Sequence, residues 1–125
     1  MLFMYDKDLV NDILNQILDA TQKVIDRFMP INKADDFTNS PEGMEKLDSI
    51  CMQLIAIGES LKNIDKITNN SLLNKYPEVD WKGAKGLRDI ITHHYFDVDA
   101  EEIFFVCKKH IPHLAVTIKK IISEL

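Results

Sequence analysis

The sequence predicts an all-α fold, an antiparallel bundle of four to five helices. Long stretches repeat apolar residues at intervals of three and four, which places these residues on one face of a helix. Cap residues and prolines separate the stretches, and no segment of useful length alternates with the period of two that indicates a β-strand. The chain has 125 residues, which is the size of a single domain.

Two long helices are predicted in the first half of the chain. The first covers residues 6–28, where the apolar side chains share one face, and Pro30 ends it. The residues between Pro30 and Ser40 are polar and rich in turn formers. Ser40 then caps the second helix, which starts at Pro41 and runs to about residue 67.

Shorter elements are predicted in the second half. Residues 72–76 form a short helix, and Asp80 caps a longer one over residues 81–94. Asp99 caps the last helix. A kink or a break is expected near Pro112, because proline cannot donate the helical hydrogen bond.

Three glycines bear on how these helices pack. Gly58 interrupts the second helix, where glycine costs about 1 kcal/mol relative to alanine, and is expected to permit close packing. Gly83 and Gly86 share a helix face and are expected to let another backbone approach. Glu59 follows Gly58 directly, and is either a solvated carboxylate or one that faces Arg88.

Composition and charge limit the possible functions. The formal net charge of −5 argues against non-specific coating of nucleic acid, although it allows a local basic site. No apolar run reaches the roughly 18 residues of a membrane span, and the first residues lack the basic start of a signal peptide. A cytoplasmic protein that contacts no membrane is therefore expected.

Cys51 and Cys107 lie among apolar residues and are expected to be buried free thiols.

The densest group of ionisable side chains lies between Arg88 and Tyr95. Asp89 and His93 are four residues apart, so Asp89 can orient the imidazole ring. Arg88 lies about 140° from His93 around the helix axis, but its long stem carries a forked donor that matches phosphate. This set suits phosphoryl transfer or RNA cleavage without a metal, while such residues are also common on helix surfaces.

A local basic strip surrounds this group. Lys82, Lys85 and Arg88 recur every three residues, and His93 and His94 follow. The strip is either a solvated helix face or a nucleic-acid site, in which case Lys82, Lys85 and His94 would contact RNA.

A second cluster, Cys107, His110 and His113, has a spacing of three residues. Pro112 interrupts the helix between the two histidines, and Cys107 belongs to the apolar face, so no metal site is expected. The sequence contains no glycine-rich phosphate loop, serine nucleophile elbow or paired-cysteine motif, and no cofactor is expected.

The ordered combination of motifs resembles the HEPN superfamily, and within it the HepT-like toxin family. Arg88-x-x-x-x-His93-x-Tyr95 is similar to the family signature. The supporting motifs are Ile57-Gly58-Glu59, the Tyr-Pro-x-x-x-Trp lead-in of residues 76–81, Gly86-Leu87-Arg88-Asp89, and the turn of residues 95–99.

The resemblance implies a HEPN bundle over residues 1–125 and a metal-independent ribonuclease, usually a homodimer with its two motifs facing each other. It implies that Arg88 and His93 are catalytic. Asp89, where asparagine is usual, and Glu59 would support them. Tyr95 would be the residue to which the cognate antitoxin, a minimal nucleotidyltransferase, transfers adenylate.

Two other functions remain open. A non-catalytic helical module that partners a nucleotidyltransferase would bind RNA or nucleotide through the same strip without cutting. A structural interaction domain would have no affinity for phosphate or RNA.

Overall fold

A computed structural model describes residues 4–93 and 96–125 of the chain. These ranges contain helices and turns and no strand, which confirms the all-α prediction. In chain order the elements are α1 (Lys7–Phe28), the one-turn helix α2 (Asp35–Thr38), α3 (Pro41–Thr68), a 3₁₀ turn (Leu73–Lys75), α4 (Trp81–His93), α5 (Ala100–Phe105), a π-helical turn (Val106–His110) and α6 (Ile111–Glu124).

The predicted caps start three of these helices. The Ser40 hydroxyl and the Asp80 carboxylate each accept a backbone N–H three residues ahead at 3.0 Å. The Asp99 carboxylate accepts two N–H groups of the first turn of α5. Asn69 ends α3 in the left-handed conformation, with φ of 52°. These contacts satisfy N–H groups at helix ends that have no partner within the helix.

Helix α3 lies at the centre of the bundle. Helices α1 and α4 both pack against α3, and α6 packs on α1. The contacts between these helices are made by large apolar side chains with little or no exposed surface. They include Leu14, Ile17, Ile50, Leu54, Ile57, Leu61, Ile64 and Ile118.

The two cysteines are buried and free, as predicted. Burial raises the pKa of the Cys51 thiol to about 11 and that of Cys107 to about 12. Both side chains are therefore neutral members of the core at physiological pH.

Pro112 shapes the last helix without ending it. The π-helical turn Val106–His110 lies directly before α6, in which Pro112 occupies the first turn. Proline has no N–H to offer the preceding turn, and the wider hydrogen-bonding ring of the π turn accommodates it. The helix therefore continues to Glu124 with a local change of geometry.

The polar stretch before Ser40 contains more helix than the sequence indicated. Asp35–Thr38 form one helical turn, in which the ring of Phe37 is fully buried. The Asp36 carboxylate accepts the backbone N–H of Asn32 at 2.8 Å. One buried aromatic ring is enough to fix a turn that polar composition alone does not predict.

None of the helices described in the structure combines the length and the hydropathy that a membrane span needs.

Candidate active site

The loop of residues 76–80 fixes where α4 begins. The indole Nε1 of the buried Trp81 donates to the carbonyl oxygen of Tyr76 at 2.8 Å. The Tyr76 hydroxyl donates to the Glu124 carboxylate of α6 at 2.7 Å. Lys120 of α6 donates to the Glu78 carboxylate at 3.1 Å. The tyrosine and tryptophan of the predicted lead-in thus attach the start of α4 to α6.

These contacts shift two pKa values in opposite directions. Burial, together with the hydrogen bond to Glu124, raises the pKa of Tyr76 to about 12. A hydrogen bond from its own backbone N–H lowers the pKa of Glu78, and Lys120 adds to the effect. Both shifts favour the protonation states that hold the loop together at neutral pH.

Gly58 brings the backbones of α3 and α4 into contact beneath Arg88. A Cβ atom at Gly58 would lie 3.2 Å from the carbonyl oxygen of Ala84 and 3.3 Å from that of Lys85. It would also lie 3.6 Å from the backbone nitrogen of Arg88. Close packing at Gly58 is therefore confirmed, since a larger side chain would force the two helices apart.

Glu59 faces Arg88 across this contact. The Arg88 Nε atom lies 3.2 Å from the Glu59 Oε1 atom, and each side chain is 48% exposed. Lys62 approaches the same carboxylate oxygen at 3.8 Å. Of the two interpretations of Glu59, the one in which it faces Arg88 is the one the structure shows. The guanidinium is thus held at the surface of α3 by a half-exposed ion pair.

The two lysines of the predicted basic strip differ in whether they form an ion pair. Lys85 forms an ion pair with Asp65 of α3, whose side chain is 13% exposed. Lys82 is exposed and forms no ion pair within the described part of the chain. An RNA contact by Lys85 requires the pair with Asp65 to open, so Lys82 is the freer of the two cations.

Asp89 and His93 are both exposed on α4. No hydrogen bond joins their side chains in the described part of the chain, so the imidazole is not held by Asp89 here. Arg88 turns toward α3, and His93 projects about 140° away around the helix axis. His94 and Tyr95 lie outside the described residues.

Gly83 and Gly86 do not serve as helix contacts within this chain, which corrects the sequence prediction. A Cβ atom at Gly83 would meet the cap carboxylate of Asp80 at 2.5 Å. A Cβ atom at Gly86 would meet no atom of the described residues within 4 Å. Gly83 makes room for the cap, while Gly86 leaves an open surface on α4.

A groove of about 510 Å³, hereafter the α4 groove, separates α4 from the last helix. Its walls are mainly apolar, with Ile90 39% and Phe105 53% exposed. The full lining comprises Glu78, Val79, Asp80, Gly83, Ala84, Leu87, Ile90, Glu102, Phe105, Val106, His110, Ile111, His113 and Leu114. Its charged rim is acidic, and among the described residues no lysine or arginine lines it.

A second concavity lies on the α3 side of Arg88. This α3 hollow, of about 400 Å³, is lined by Glu59, Ser60, Lys62, Asn63 and Lys66. The sequence pattern points to Glu59 but gives no reason to select Lys62 or Lys66. Their spacing of four residues was a signal for one helix face, but nothing local indicated that this face adjoins Arg88.

The second cluster of the sequence, Cys107, His110 and His113, is dispersed. Cys107 is buried in the core, and the His110 ring contacts that of Phe105 at 5.2 Å. The His113 Nε2 atom lies 2.8 Å from the Glu78 carbonyl oxygen. The described residues include no group of three or more potential metal ligands.

Comparison with known proteins identifies the family. The model of the family described as "Ribonuclease HepT-like" matches residues 17–121. The chain belongs to the HepT-like ribonuclease family of the HEPN superfamily. The resemblance of the motifs and the expected HEPN-type bundle are thereby confirmed.

Similar HepT-like proteins occur in archaea and bacteria. The chain is 31% identical over 116 residues to "Putative RNase MJ0127" of Methanocaldococcus jannaschii, covering 93% of this chain and 89% of that protein. It is 31% identical over 111 residues to "Putative RNase TTE0752" of Caldanaerobacter subterraneus, covering 89% of this chain and 92% of that protein. "Probable ribonuclease HepT" of Thermococcus cleftensis is 32% identical over 73 residues, 58% of this chain and 63% of that protein. No solved structure matches the chain.

The family and the names of these relatives support a ribonuclease at the family level. In this HepT-like chain, the motif residues Arg88 and His93 lie on α4, with Arg88 attached to α3 through Glu59.

Proposed function

We propose that this HepT-like protein is a metal-independent endoribonuclease toxin in which Arg88 and His93 are catalytic. The observation that carries the proposal is the position of Arg88. The backbone contact at Gly58 and the Glu59 carboxylate hold the guanidinium at the surface. The Arg88 side chain as a whole remains half exposed, and His93 follows at the end of the same helix.

The chemistry of these side chains suits cleavage of an RNA phosphodiester. Arg88 binds the scissile phosphate through paired N–H donors and neutralises the charge that grows in the transition state. The neighbouring 2′-hydroxyl of the RNA attacks the phosphorus and releases its proton to water. His93, in the last turn of α4, donates a proton to the leaving 5′-oxygen as its bond to phosphorus breaks. No step in this scheme requires a metal, and Asp89 remains a candidate for orienting the imidazole once RNA is bound.

We also propose that the protein works as a homodimer with its two motifs facing each other. Arg88 and His93 project to different sides of α4, so one protomer does not place both on one phosphate in this conformation. The open surface at Gly86 and the partly exposed Ile90 leave this part of α4 free for a second copy. Two facing motifs would also concentrate positive charge on an otherwise acidic body.

The proposed antitoxin is a minimal nucleotidyltransferase that acts on Tyr95. The tyrosine hydroxyl attacks the α-phosphorus of ATP, an adenylate ester forms, and pyrophosphate leaves. The product adds bulk and negative charge two residues from His93, so it would compete with RNA phosphate for Arg88.

Incubation of the purified chain with labelled RNA, with and without a chelator, tests the ribonuclease. We expect cleavage that persists in the chelator. Cleavage that stops when the chelator is added would contradict metal independence. RNA binding without cleavage under either condition would favour the alternative, a non-catalytic binding module that partners a nucleotidyltransferase.

The antitoxin proposal has its own test. The nucleotidyltransferase is taken from the neighbouring reading frame and incubated with this chain and ATP. Intact mass should rise by one adenylate in the wild type and in Tyr5→Phe, but not in Tyr95→Phe. Adenylation of Tyr95→Phe would move the modification to another residue.

A further inference from the structure

We propose that Lys62, Asn63 and Lys66 of α3 form a second phosphate-binding site, a track that leads single-stranded RNA to Arg88. This inference rests on the proposed ribonuclease function and specifies the side of α4 from which the RNA approaches. None of the three residues belongs to the motif that carries Arg88 and His93.

The track lies in the α3 hollow, next to the arginine. Lys62 reaches the Glu59 oxygen that also contacts Arg88, so the three side chains form one network. Lys66 is exposed one turn further along α3, about 6 Å along the helix axis. A strand whose phosphate occupies Arg88 therefore has two further cations in the adjoining α3 hollow.

The neutral residues of the hollow suit an RNA strand as well. Asn63 lies between the two lysines and Ser60 precedes them in the sequence, and both residues line the same concavity. Their hydroxyl and amide groups can hydrogen-bond to phosphate or sugar oxygens, which are the most frequent partners in nucleic-acid complexes. The hollow thus offers charge and hydrogen bonds without base-specific geometry.

Glu59 is the one acidic residue that lines the hollow among those the structure describes. Its carboxylate is shared between Arg88 and Lys62 in the absence of RNA. A phosphate that replaces Glu59 at Arg88 would leave Lys62 without its partner and free to bind the next phosphate. Occupation of Arg88 and of the track would therefore reinforce each other.

The opposite side of α4 repels the same ligand. The α4 groove is lined by Glu78, Asp80 and Glu102. Lys120 neutralises Glu78, whereas Glu102 forms no ion pair within the described part of the chain. A polyanion that reaches Arg88 thus meets lysines on the α3 side and carboxylates on the groove side. This difference in charge favours the α3 side as the path of the strand.

The test measures how binding of a non-cleavable RNA depends on salt. The probe is a fluorescent 2′-O-methyl oligouridine of twelve nucleotides, bound to the full chain and followed by anisotropy. The variant Lys62→Ala/Lys66→Ala is compared with Lys109→Ala/Lys119→Ala. The control removes one exposed lysine of the π-helical turn and one of α6, and therefore the same net charge.

We expect the track variant to lose about 1.4 from the slope of log affinity against log salt concentration, since each lost single-strand phosphate contact contributes about 0.7. Between about 50 and 200 mM salt, wild-type affinity should then fall about sevenfold more than that of the variant. The control variant should keep the wild-type slope.

Equal slopes in the wild type and the track variant would overturn the inference. An equal loss in both double variants would also overturn it, because bulk charge would then explain the effect. Cleavage of unmodified RNA by the same wild-type preparation is measured in parallel. Absence of that cleavage would refute the ribonuclease and leave the slopes to decide the track.

Discussion

The two sides of α4 differ in how they are built. On the α3 side, Gly58 brings the helix backbones into contact, and the pairs Arg88–Glu59 and Lys85–Asp65 cross the interface. On the other side, a groove of about 510 Å³ separates α4 from the last helix. That side is attached mainly at its beginning, through the loop of residues 76–80.

This difference favours the α3 side, where Arg88 lies, as the side on which a phosphate would bind. A side chain that binds a phosphate needs a fixed backbone and neighbours that limit its rotamers. The close-packed side gives Arg88 both, while the groove side offers apolar walls and an acidic rim. Substitutions on either side can break or sharpen this comparison.

The largest effect is expected from Arg88→Lys. Lysine keeps the charge but loses the planar fork that binds phosphate through two donors. The cleavage rate should fall by roughly 10²-fold, as for removal of one donor from a charge-stabilising site. Arg27→Lys, which changes the other arginine of the chain, should cleave at the wild-type rate. Cleavage by Arg88→Lys at the wild-type rate would show that the planar guanidinium of Arg88 is not needed.

Gly58→Leu tests the helix contact itself. The leucine side chain would meet the Ala84 and Lys85 carbonyl oxygens. We therefore expect the free energy of unfolding to fall by about 3 kcal/mol and the rate of RNA cleavage to fall with it. In Gly86→Ala the added Cβ meets no atom of residues 4–93 and 96–125, so the free energy of unfolding should rise by about 0.5–1 kcal/mol. Denaturant unfolding measures both. Equal effects of the two substitutions would remove the asymmetry between the two sides.

Tyr76→Phe tests the attachment of the groove side. Loss of the hydrogen bond to Glu124 should lower the free energy of unfolding by about 1 kcal/mol at pH 8. The pKa of Tyr76 is raised from 10.0 to about 12 in the fold, so its contribution to stability is complete below pH 10 and is lost as the pH rises through 12. The stability gap between wild type and variant should therefore narrow from pH 8 to pH 11. A constant gap would contradict the raised pKa.

Glu59→Gln and Glu102→Gln make the same chemical change on the two sides of α4. Without the Glu59 charge, Arg88 is freer to meet phosphate but less well positioned. KM for RNA and kcat should therefore both fall, each by about two- to fivefold, as suits a half-exposed pair of about 0.2–1 kcal/mol. Glu102→Gln should change neither constant. A rise in KM for Glu59→Gln would assign the carboxylate a direct role in binding RNA.

The sequence predicted the helices well because their signals are local. Ser40, Asp80 and Asp99 cap as expected. Close packing at Gly58 could also be predicted, since a glycine in a long apolar helix has few uses other than close approach. For Glu59 the sequence left two interpretations open, a solvated carboxylate and one that faces Arg88.

Other features depend on contacts between distant residues and could not be predicted. Lys85 was assigned to a basic strip, but its partner Asp65 is twenty residues away in the sequence. Lys62 and Lys66 form no motif and gain interest only because α3 places them beside Arg88. A single sequence does not show which helix faces meet, so their relation to the site had to come from packing.

The central claim is that the HepT-like motif on α4 cleaves RNA. The most direct test compares initial cleavage rates of unmodified RNA, in chelator, for the wild type, His93→Ala and His110→Ala. We predict that His93→Ala remains folded and loses at least about 10²-fold in rate, while His110→Ala, an exposed histidine at the α4 groove, stays close to wild type. A His93→Ala protein that cleaves RNA as fast as the wild type would contradict the account.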